Sequence, residues 1–231
     1  MKLLTGRLRS KVYNYYMIKQ SPNWLAEIGL WQKGYQAVIG LDEVGTGAWA
    51  GPLVVAAVAC PADLDLKNDL FKKVRDSKIL SAEMRGVIVR EAGQLPFKVG
   101  YGWTDEKLID ELGLAEAWAE AMRSALESVW DKSQRNYILV DGNRNFQTEG
   151  EVECVVDGDA KCFSIALASI FAKVARDSYM HDQHEKYPHY GFRTNVGYGT
   201  KEHQAALLQY GICPLHRQSY EPIAEVMQRQ F

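Results

Sequence analysis

Residues 36–60 read QAVIGLDEVGTGAWAGPLVVAAVAC, and this stretch decides the fold of the chain. The run from Gln36 to Val44 predicts a strand, and residues 52–60 predict its partner after a glycine-rich connection. Two acids, Asp42 and Glu43, stand side by side where the first strand is about to end. Because charged side chains are almost never buried without a partner, these carboxylates need either a partner or a function.

Outward from this pair, the pattern alternates between strands and helices. Further strands are predicted at 97–104, 137–143 and 151–156. Apolar residues at helical spacing predict helices at 84–95 (with Ser81 as the N-cap), 114–130, 162–181, 201–209 and 218–229. Small residues along the long helix would let it lie close to a sheet: Ser164, Ala168, Ala172 and Ala175. The pattern predicts an α/β fold with a mixed five-stranded sheet flanked by helices.

Composition narrows the class of protein. The chain has 231 residues, of which 47% are hydrophobic and 24% charged, as is typical of a globular protein. No apolar run approaches the roughly 18 residues that a membrane span needs, so we expect no membrane association. Four cysteines without CxxC spacing predict reduced thiols rather than disulfides or a zinc site. With no secretory signal in the sequence, we expect a cytoplasmic location. We also expect a monomer.

Charge is distributed unevenly along the chain. Residues 1–35 carry six Lys/Arg and one acid, whereas residues 36–160 have a net charge of −9. An acidic middle between basic ends fits a metal site flanked by a phosphate-binding surface, and fits equally well solvated faces that differ in charge. Helical spacing at Trp24, Ile28 and Trp31 predicts that residues 1–35 form a basic extension ending in a docking helix. The absence of acids before Glu27 also fits a basic arm or a targeting segment. The second domain would then cover residues 36–231, including the C-terminal helices.

Three acids share one local context. Asp42, Asp141 and Asp159 each end an apolar run and lie close to a glycine. In open α/β sheets, sites form at strand ends, so these acids and Glu43 would converge. Clustered carboxylates repel each other and recruit cations, and their oxygens suit Mg2+ or Mn2+. The chemistry that fits such a cluster is two-metal hydrolysis of a phosphodiester.

The adjacent acids pose a geometric difficulty. Neighbouring residues of a regular strand point to opposite faces, so Asp42 and Glu43 cannot both face one site on a regular strand. Gly45 and Gly47 allow the chain to bend or bulge directly after the pair. Taken alone, an Asp-Glu pair before a turn is more often a solvated turn, so the interpretation depends on the repeated context.

The chain resembles the type 2 ribonucleases H, and bacterial ribonuclease HII in particular. The resemblance is carried by six motifs in the family's order: IGLDEVGTGAWAGPLVVAAV (39–58), DSKILS (76–81), LVDGN (139–143), GDAKCFSIALASIFAKVARDSYM (158–180), YGFRTNVGYGTKEH (190–203) and HRQSYEP (216–222). It implies a ribonuclease H-like fold and cleavage of RNA within RNA/DNA hybrids or of DNA containing ribonucleotides, with Mg2+ or Mn2+. It also implies that the metal ligands and catalytic residues are Asp42, Glu43, Asp141 and Asp159.

The same resemblance implies substrate-binding residues. Tyr198 would pack on the sugar beside the scissile junction, where an aromatic face fits a deoxyribose and crowds a 2′-hydroxyl. Gly45, Thr46 and Gly47 stand where the family usually has Gly-Arg-Gly, a loop that reads the 2′-hydroxyl largely with backbone groups. Thr46 keeps a hydroxyl but lacks the bidentate phosphate donor. The departure puts incision at a single embedded ribonucleotide in question.

Three further residues are candidate substrate contacts. Lys78 and Lys161 are predicted phosphate contacts, with Lys161 at a helix N-terminus, where free amides favour anions. Asn143 would orient a carboxylate or contact the nucleic acid. Their structural alternatives are two surface lysines and a turn asparagine.

Other polar residues allow two interpretations each. Ser169, Lys173 and Arg176 share a helix face that would either follow a nucleic-acid backbone or face solvent. His181 and His184 have metal-ligand spacing, but nothing nearby completes a tetrahedral set, so we expect surface residues. The late motif residues His216 and Arg217 would contact phosphate or serve structure.

Three functions remain from the sequence. The first is a ribonuclease HII-like endonuclease, with residues 36–231 as its catalytic domain. The second is a hybrid-binding protein of the same fold, with weakened catalysis and altered junction specificity. The third, a hydrolase of small phosphate esters, lacks any nucleotide-cradling loop to support it.

Overall fold

The structure, a computed structural model, describes residues 21–229. Its strands are β1 (Ala37–Val44), β2 (Leu53–Pro61), β3 (Lys98–Thr104), β4 (Asn136–Asp141) and β5 (Glu151–Val155). Its helices are α1 (Leu25–Gln32), α2 (Ala82–Ala92), α3 (Glu106–Leu112), α4 (Leu114–Glu127), α5 (Gly158–Lys161), α6 (Phe163–Lys186), α7 (Phe192–Asn195), α8 (Lys201–Tyr210) and α9 (Glu221–Arg229). Short 3-10 turns cover Asp69–Lys72 and Pro188–Tyr190.

The strands form one mixed sheet in the order β3-β2-β1-β4-β5. Strands β1, β2 and β3 pair antiparallel, whereas β4 runs parallel to both β1 and β5. The central strand β1 therefore has an antiparallel neighbour on one side and a parallel one on the other. The predicted mixed five-stranded sheet is confirmed.

Helices cover both faces of the sheet. On one face, Ile39 and Leu41 of β1 share a buried cluster with Ala121 and Met122 of α4. On the other face, Val58 of β2 shares a second cluster with α6 and α2. Burial on both faces explains the nearly continuous apolar character of β1 and β2.

Helix α6 lies very close to the sheet, as its small residues predict. A side chain at Gly40 would collide with the backbone of Ser164, so this contact requires glycine in the strand. Ala168 and Ala172 are fully buried on the same helix. The helix is five residues longer at its C-terminus than predicted, because it ends at Lys186.

Helix α1 falls in the region for which a docking helix was predicted. Trp24 stacks on Phe163 with ring centroids 3.9 Å apart. The fully buried Glu27 accepts hydrogen bonds from the Ser164 amide (2.8 Å) and hydroxyl (2.7 Å). Burial raises the pKa of Glu27, although the hydrogen bonds from Ser164 act to lower it. Residues 1–20 of the predicted basic extension lie outside the described residues, and the division at residue 35 stays a prediction.

Local signals placed most other elements correctly. Ser81 caps α2 as predicted, since its Oγ accepts the Met84 amide at 3.1 Å. Helix α3 and the one-turn helices α5 and α7 were not predicted from the sequence.

Within residues 21–229, no helix is long and apolar enough to cross a membrane. The cytoplasmic location and the monomeric state stay predictions.

Candidate active site

Asp42 and Glu43 point to opposite faces of the sheet. Strand β1 keeps regular register with β2 through Asp42↔Ala56 and Glu43↔Val55, so no bulge brings the two acids onto one face. The predicted bend comes directly after the strand, at Gly45, whose φ of +94° is a conformation that suits glycine. The pairing of β1 with β4 ends at Leu41↔Val140, so neither acid is paired with β4.

Asp42 is buried on the face covered by α6. Its Oδ1 accepts the backbone amide of Glu43 at 2.7 Å. Burial raises the pKa of Asp42 well above its usual value, and the charges of Glu43 and Asp141 raise it further. The Ser169 hydroxyl opposes this rise. Asp42 is therefore an acid whose negative charge is costly in the absence of a cation.

Glu43 lies on the face covered by α4. Burial raises its pKa, the Trp118 indole opposes the rise, and the charge of Asp141 adds to it. Even so, neither Glu43 Oε2 nor Trp118 Nε1 completes a hydrogen bond within the described part of the chain, and both atoms are buried. A buried carboxylate oxygen without a partner is unfavourable, and a bound cation would provide that partner.

Asp141 ends β4 and is tied to the start of α5. Its Oδ1 accepts the amides of Gly158 at 2.7 Å and Asp159 at 3.3 Å. Burial raises the pKa of Asp141 and the charge of Asp159 raises it further, whereas the two amide bonds lower it. These bonds join the end of β4 to the turn that carries the fourth acid.

Asp159 is a helix residue rather than a strand end as predicted. It lies on α5 and is 6% exposed, and its Oδ2 accepts Lys78 Nζ at 3.1 Å. The Lys78 side chain is 75% exposed, so the ammonium group also faces solvent. Burial lowers the pKa of Lys78, but the bond to Asp159 and its charge outweigh that effect and raise it.

The loop that carries Lys78 is anchored by contacts that sequence reasoning did not predict. Ser77 and Ser169 share a hydrogen bond of 2.9 Å between their buried hydroxyls. Arg85 donates to the carbonyls of Ser77 (2.9 Å) and Leu80 (2.8 Å). Arg85 was one polar residue in an amphipathic helix pattern, and no local signal marks it as a loop anchor.

The acids fit a metal site without forming a closed ligand cage. Among residues 21–229, no three His, Cys, Asp or Glu side chains stand as a group that could hold a metal ion. One oxygen of Asp42 and one of Asp141 already accept backbone amides. The donor set nevertheless suits a hard divalent cation, because its members are carboxylates whose mutual charge raises several of their pKa values. The assignment of all four as ligands stays a prediction.

The glycine loop after β1 is held by a buried arginine. A side chain at Gly45 would meet the Arg176 guanidinium and the Pro52 carbonyl, whereas Gly47 has open space around it. Thr46 is half-buried, and its carbonyl accepts Arg217 Nη1 at 3.3 Å and the Tyr220 hydroxyl at 2.6 Å. The backbone of this loop is thus held by contacts with Arg176, Arg217 and Tyr220.

Arg176 neither follows a nucleic acid nor faces solvent, so both interpretations of its helix face were wrong. It is fully buried and donates to the carbonyls of Pro52 (2.8 Å), Val196 (2.8 Å) and Ala50 (3.0 Å). The reason is tertiary, because α6 passes beneath the loops that supply these carbonyls. Ser169 on the same face is also buried.

The structure also shows the surroundings of the other polar residues for which the sequence allowed two interpretations. Lys173 is half-buried and bonds Asp177 at 2.8 Å. Arg217 is fully buried and donates to the Gly51 carbonyl at 2.8 Å, which is a structural role. His181 is exposed and His184 is half-buried.

The remaining candidate contacts occupy different surroundings. Tyr198 is half-buried, and its ring centroid lies 5.5 Å from the Arg176 guanidinium carbon. Asn143 is exposed in the turn after β4. Lys161 ends α5 and directly precedes Cys162, the N-cap of α6, so it lies at the start of the long helix as predicted. Its ammonium group donates to the Val156 carbonyl.

Known proteins share both the sequence and the fold of this chain. Residues 39–223 match the family model of ribonuclease HII. A ribonuclease HII of Desulfotalea psychrophila is 40% identical over 212 residues, which cover 90% of this chain and 92% of that protein. A ribonuclease HII of a Synechococcus strain is 41% identical over 210 residues, covering 91% and 92%.

A solved structure gives the same answer for the fold. Ribonuclease H2 from Pyrococcus horikoshii superimposes with a TM-score of 0.68 at 27% identity, covering 84% of this chain and 98% of that chain. The ribonuclease H-like fold implied by the motifs is therefore confirmed. Sequence and fold together show that the chain belongs to the ribonuclease HII family.

Proposed function

We propose that this chain is an endonuclease that hydrolyses the RNA strand of RNA/DNA hybrids and leaves 3′-hydroxyl and 5′-phosphate ends. The observation that supports the proposal is the mutual charge repulsion of Asp42, Glu43 and Asp141, together with the hydrogen bond that ties the Asp159 amide to Asp141. Few structures keep several buried acids in mutual repulsion unless a function needs them. Phosphodiester hydrolysis is the family reaction that uses such a set.

We assign Asp42, Glu43, Asp141 and Asp159 as the ligands of Mg2+ or Mn2+. When bound, these ions would activate the attacking water and stabilise the leaving oxygen. The protein orients the ligands with its backbone: the Glu43 amide holds Asp42, and the Gly158 amide holds Asp141. Such bonds fix the rotation of a carboxylate and leave its second oxygen for a ligand.

The substrate side of the proposal uses the loops around this set. Lys78 reaches from solvent to Asp159 and would contact the phosphate next to the scissile bond. Gly47, with open space around it, would allow close approach of the sugar-phosphate backbone. Tyr198 would pack on the neighbouring sugar, and Asn143 and Lys161 would make outer contacts. DNA with embedded ribonucleotides is the narrower substrate that this arrangement would also accept.

A gel assay tests the proposal. A labelled RNA/DNA hybrid is incubated with the wild-type chain, with Asp141→Asn and with Asp182→Asn, in EDTA, Mg2+ or Mn2+. Asp182 is an exposed acid on α6 and serves as the matched control. We expect cutting of the RNA strand only with metal, by wild type and Asp182→Asn alike, and none by Asp141→Asn.

Two outcomes contradict the proposal. Cutting in EDTA, or by Asp141→Asn at the wild-type rate, would remove the metal role of the acids. Retention of the hybrid in a mobility-shift gel without cutting would support a binding protein of the same fold.

A further inference from the structure

A pair of buried histidines lies behind the Tyr198 loop. His203 on α8 and His216, which precedes α9, are 0% and 1% exposed, with their Nε2 atoms 3.0 Å apart. The rings of Tyr190 and Phe192 pack against them. The ring centroids of Tyr190 and His216 are 4.9 Å apart, and those of Phe192 and His203 are 5.5 Å apart. Burial lowers the pKa of both histidines, so both are neutral at pH 7.

The hydrogen bonds assign the proton on each ring. The Cys213 amide donates to His216 Nδ1 at 2.8 Å, so this nitrogen carries no proton. The contact of the same nitrogen with the Cys213 carbonyl at 3.1 Å is therefore not a hydrogen bond, and that carbonyl already accepts the His216 amide. A neutral His216 then has its proton on Nε2 and donates it to His203 Nε2.

The chain of donors ends on the backbone of Tyr198. Since His203 Nε2 accepts, its proton must lie on Nδ1, which faces the Tyr198 carbonyl at 3.0 Å. The direction is the same throughout, from the Cys213 amide to His216, His203 and Tyr198. Aligned bonds of this kind polarise and strengthen one another in a buried setting.

The loop at Tyr198 also contacts the glycine loop that follows the acids. The Gly197 carbonyl accepts the amides of Trp49 at 2.8 Å and Ala50 at 3.2 Å. A side chain at Gly199 would collide with the Trp49 ring. The position of the Tyr198 backbone is thus set on one side by the glycine loop and on the other by His203.

We propose that the His203–His216 pair positions Tyr198 and thereby sets how strongly the enzyme distinguishes deoxyribose from ribose beside the scissile bond. The inference rests on the proposed function, in which Tyr198 packs on that sugar. Two apolar side chains would fill the same volume, but they would not hold the Tyr198 carbonyl. The histidines act through Tyr198 and are positioning residues.

The test compares substrates rather than absolute rates. The kcat/KM is measured on a strand with an RNA-to-DNA junction and on a uniform RNA/DNA hybrid, and the ratio of the two is the discrimination. This ratio does not depend on the fraction of folded enzyme. The variants are His203→Leu, His203→Asn, Tyr198→Ala and, as a control, His181→Leu at an exposed histidine.

The expected pattern follows from which bond each variant keeps. His203→Leu removes the side-chain donor to the Tyr198 carbonyl and leaves only the Thr200 amide at 2.8 Å, so it should lower the discrimination about tenfold, as a misplaced contact group does. His203→Asn places an amide N–H near the position of Nδ1 and should stay within about twofold of wild type. Tyr198→Ala should lower the discrimination at least as much as His203→Leu, and a double variant that combines Tyr198→Ala with His203→Leu should lose nothing more.

The outcomes separate this inference from the function on which it rests. No cutting by wild type overturns the proposed function. A normal ratio for Tyr198→Ala overturns the role of Tyr198, and the positioning proposal with it. A lowered ratio for Tyr198→Ala with a wild-type ratio for His203→Leu overturns the positioning proposal alone.

A second measurement needs no variant. In 15N NMR of the histidine-labelled protein, we expect an unprotonated Nδ1 on His216 and an unprotonated Nε2 on His203 at pH 7. The opposite tautomers would overturn the hydrogen-bond chain and the proposal.

Discussion

The candidate active-site region has two halves that bury charges of opposite sign. The acid half holds the carboxylates at the ends of β1 and β4, and the loop-support half holds the buried arginines beneath the glycine loop. In the acid half, Asp42, Glu43 and Asp141 have raised pKa values because burial and mutual repulsion oppose their negative charge. In the loop-support half, Arg176 and Arg217 have pKa values lowered by burial, that of Arg176 to about 10. Both arginines still remain cations at neutral pH.

The halves differ in whether protein groups satisfy the buried charge. The backbone carbonyls of Ala50, Pro52 and Val196 surround Arg176, and the Gly51 carbonyl accepts two bonds from Arg217. Glu43, by contrast, has a buried oxygen without a partner among the described residues. The loop-support half thus stabilises the fold, whereas the acid half costs stability. Replacing a residue in the acid half should therefore lower activity and raise stability, whereas replacing one in the loop-support half should mainly lower stability.

The largest expected effect is on catalysis, from Asp42→Asn. Ligated cations supply several kcal/mol of transition-state stabilisation, so we expect kcat/KM in Mg2+ to fall about a thousandfold. Asp182→Asn is the control, as above. Activity within tenfold of wild type would show that Asp42 is not a metal ligand.

The same variant should gain stability in EDTA. Because the folded-state pKa of Asp42 is raised, the wild type loses stability as pH rises above the ordinary aspartate range, and asparagine avoids this loss. We expect the free energy of unfolding at pH 7 to rise on the order of 1 kcal/mol, with the gain shrinking toward pH 4. Urea unfolding of both proteins across this pH range measures it, and a loss at pH 7 would contradict the electrostatic cost.

The opposite outcome is expected in the loop-support half, for Arg176→Met. The change leaves three buried carbonyls without their donor, so we expect a loss of about 3 kcal/mol in the free energy of unfolding. Urea unfolding measures this loss, with Arg193→Met as the control because that arginine is exposed. Equal stability of the two variants would show that the carbonyls find other partners.

Low pH should reduce the stability of the fold through protonation of His216. Burial, and then the charge of His203, lower the pKa of His216 from its usual 6.5 to about 4. As pH falls below 6.5 the unfolded chain takes up the proton first, so the His216 contribution is constant above 6.5 and decreases down to about pH 4. The slope should be about 1.4 kcal/mol per pH unit over the middle of this window.

The comparison with His216→Asn isolates that slope. Asparagine keeps an acceptor for the Cys213 amide but does not titrate, so its stability should fall less steeply than that of wild type. The exposed His189 provides the control, since His189→Asn should leave the wild-type slope unchanged. Identical slopes for wild type and His216→Asn would rule out the buried neutral state of His216.

The smallest expected effect is on specificity, from Thr46→Arg. The Thr46 backbone is fixed by Arg217 and Tyr220, so a new side chain adds a phosphate contact without moving the loop. We expect cutting at a single embedded ribonucleotide to improve roughly fivefold relative to a uniform hybrid, the value of an exposed contact of about 1 kcal/mol. Thr46→Gln controls for size without charge. Equal changes on both substrates would contradict this role.

Sequence reasoning succeeded where the signal was local. The strands around Asp42 and Asp141, the Ser81 cap and the small face of α6 all follow from periodicity and residue type. It failed for the buried position of Arg176 and for the helical position of Asp159. In these cases the outcome depends on which backbone lies opposite the residue, and a periodic pattern contains no such information.

The sequence by itself determined the family, the mixed sheet and the identity of the candidate acids, because each depends on residue types at fixed spacing along the chain. Only the tertiary structure decided that Arg176 and Arg217 hold loops, and that His203 faces Tyr198. The two arginines contact carbonyls far away in sequence, and His203, which lies close to Tyr198 in sequence, bonds on its other side to His216. Burial lets the backbone compete with solvent for these donors. The same side chains on a solvated face would have had ordinary pKa values and no fixed partners.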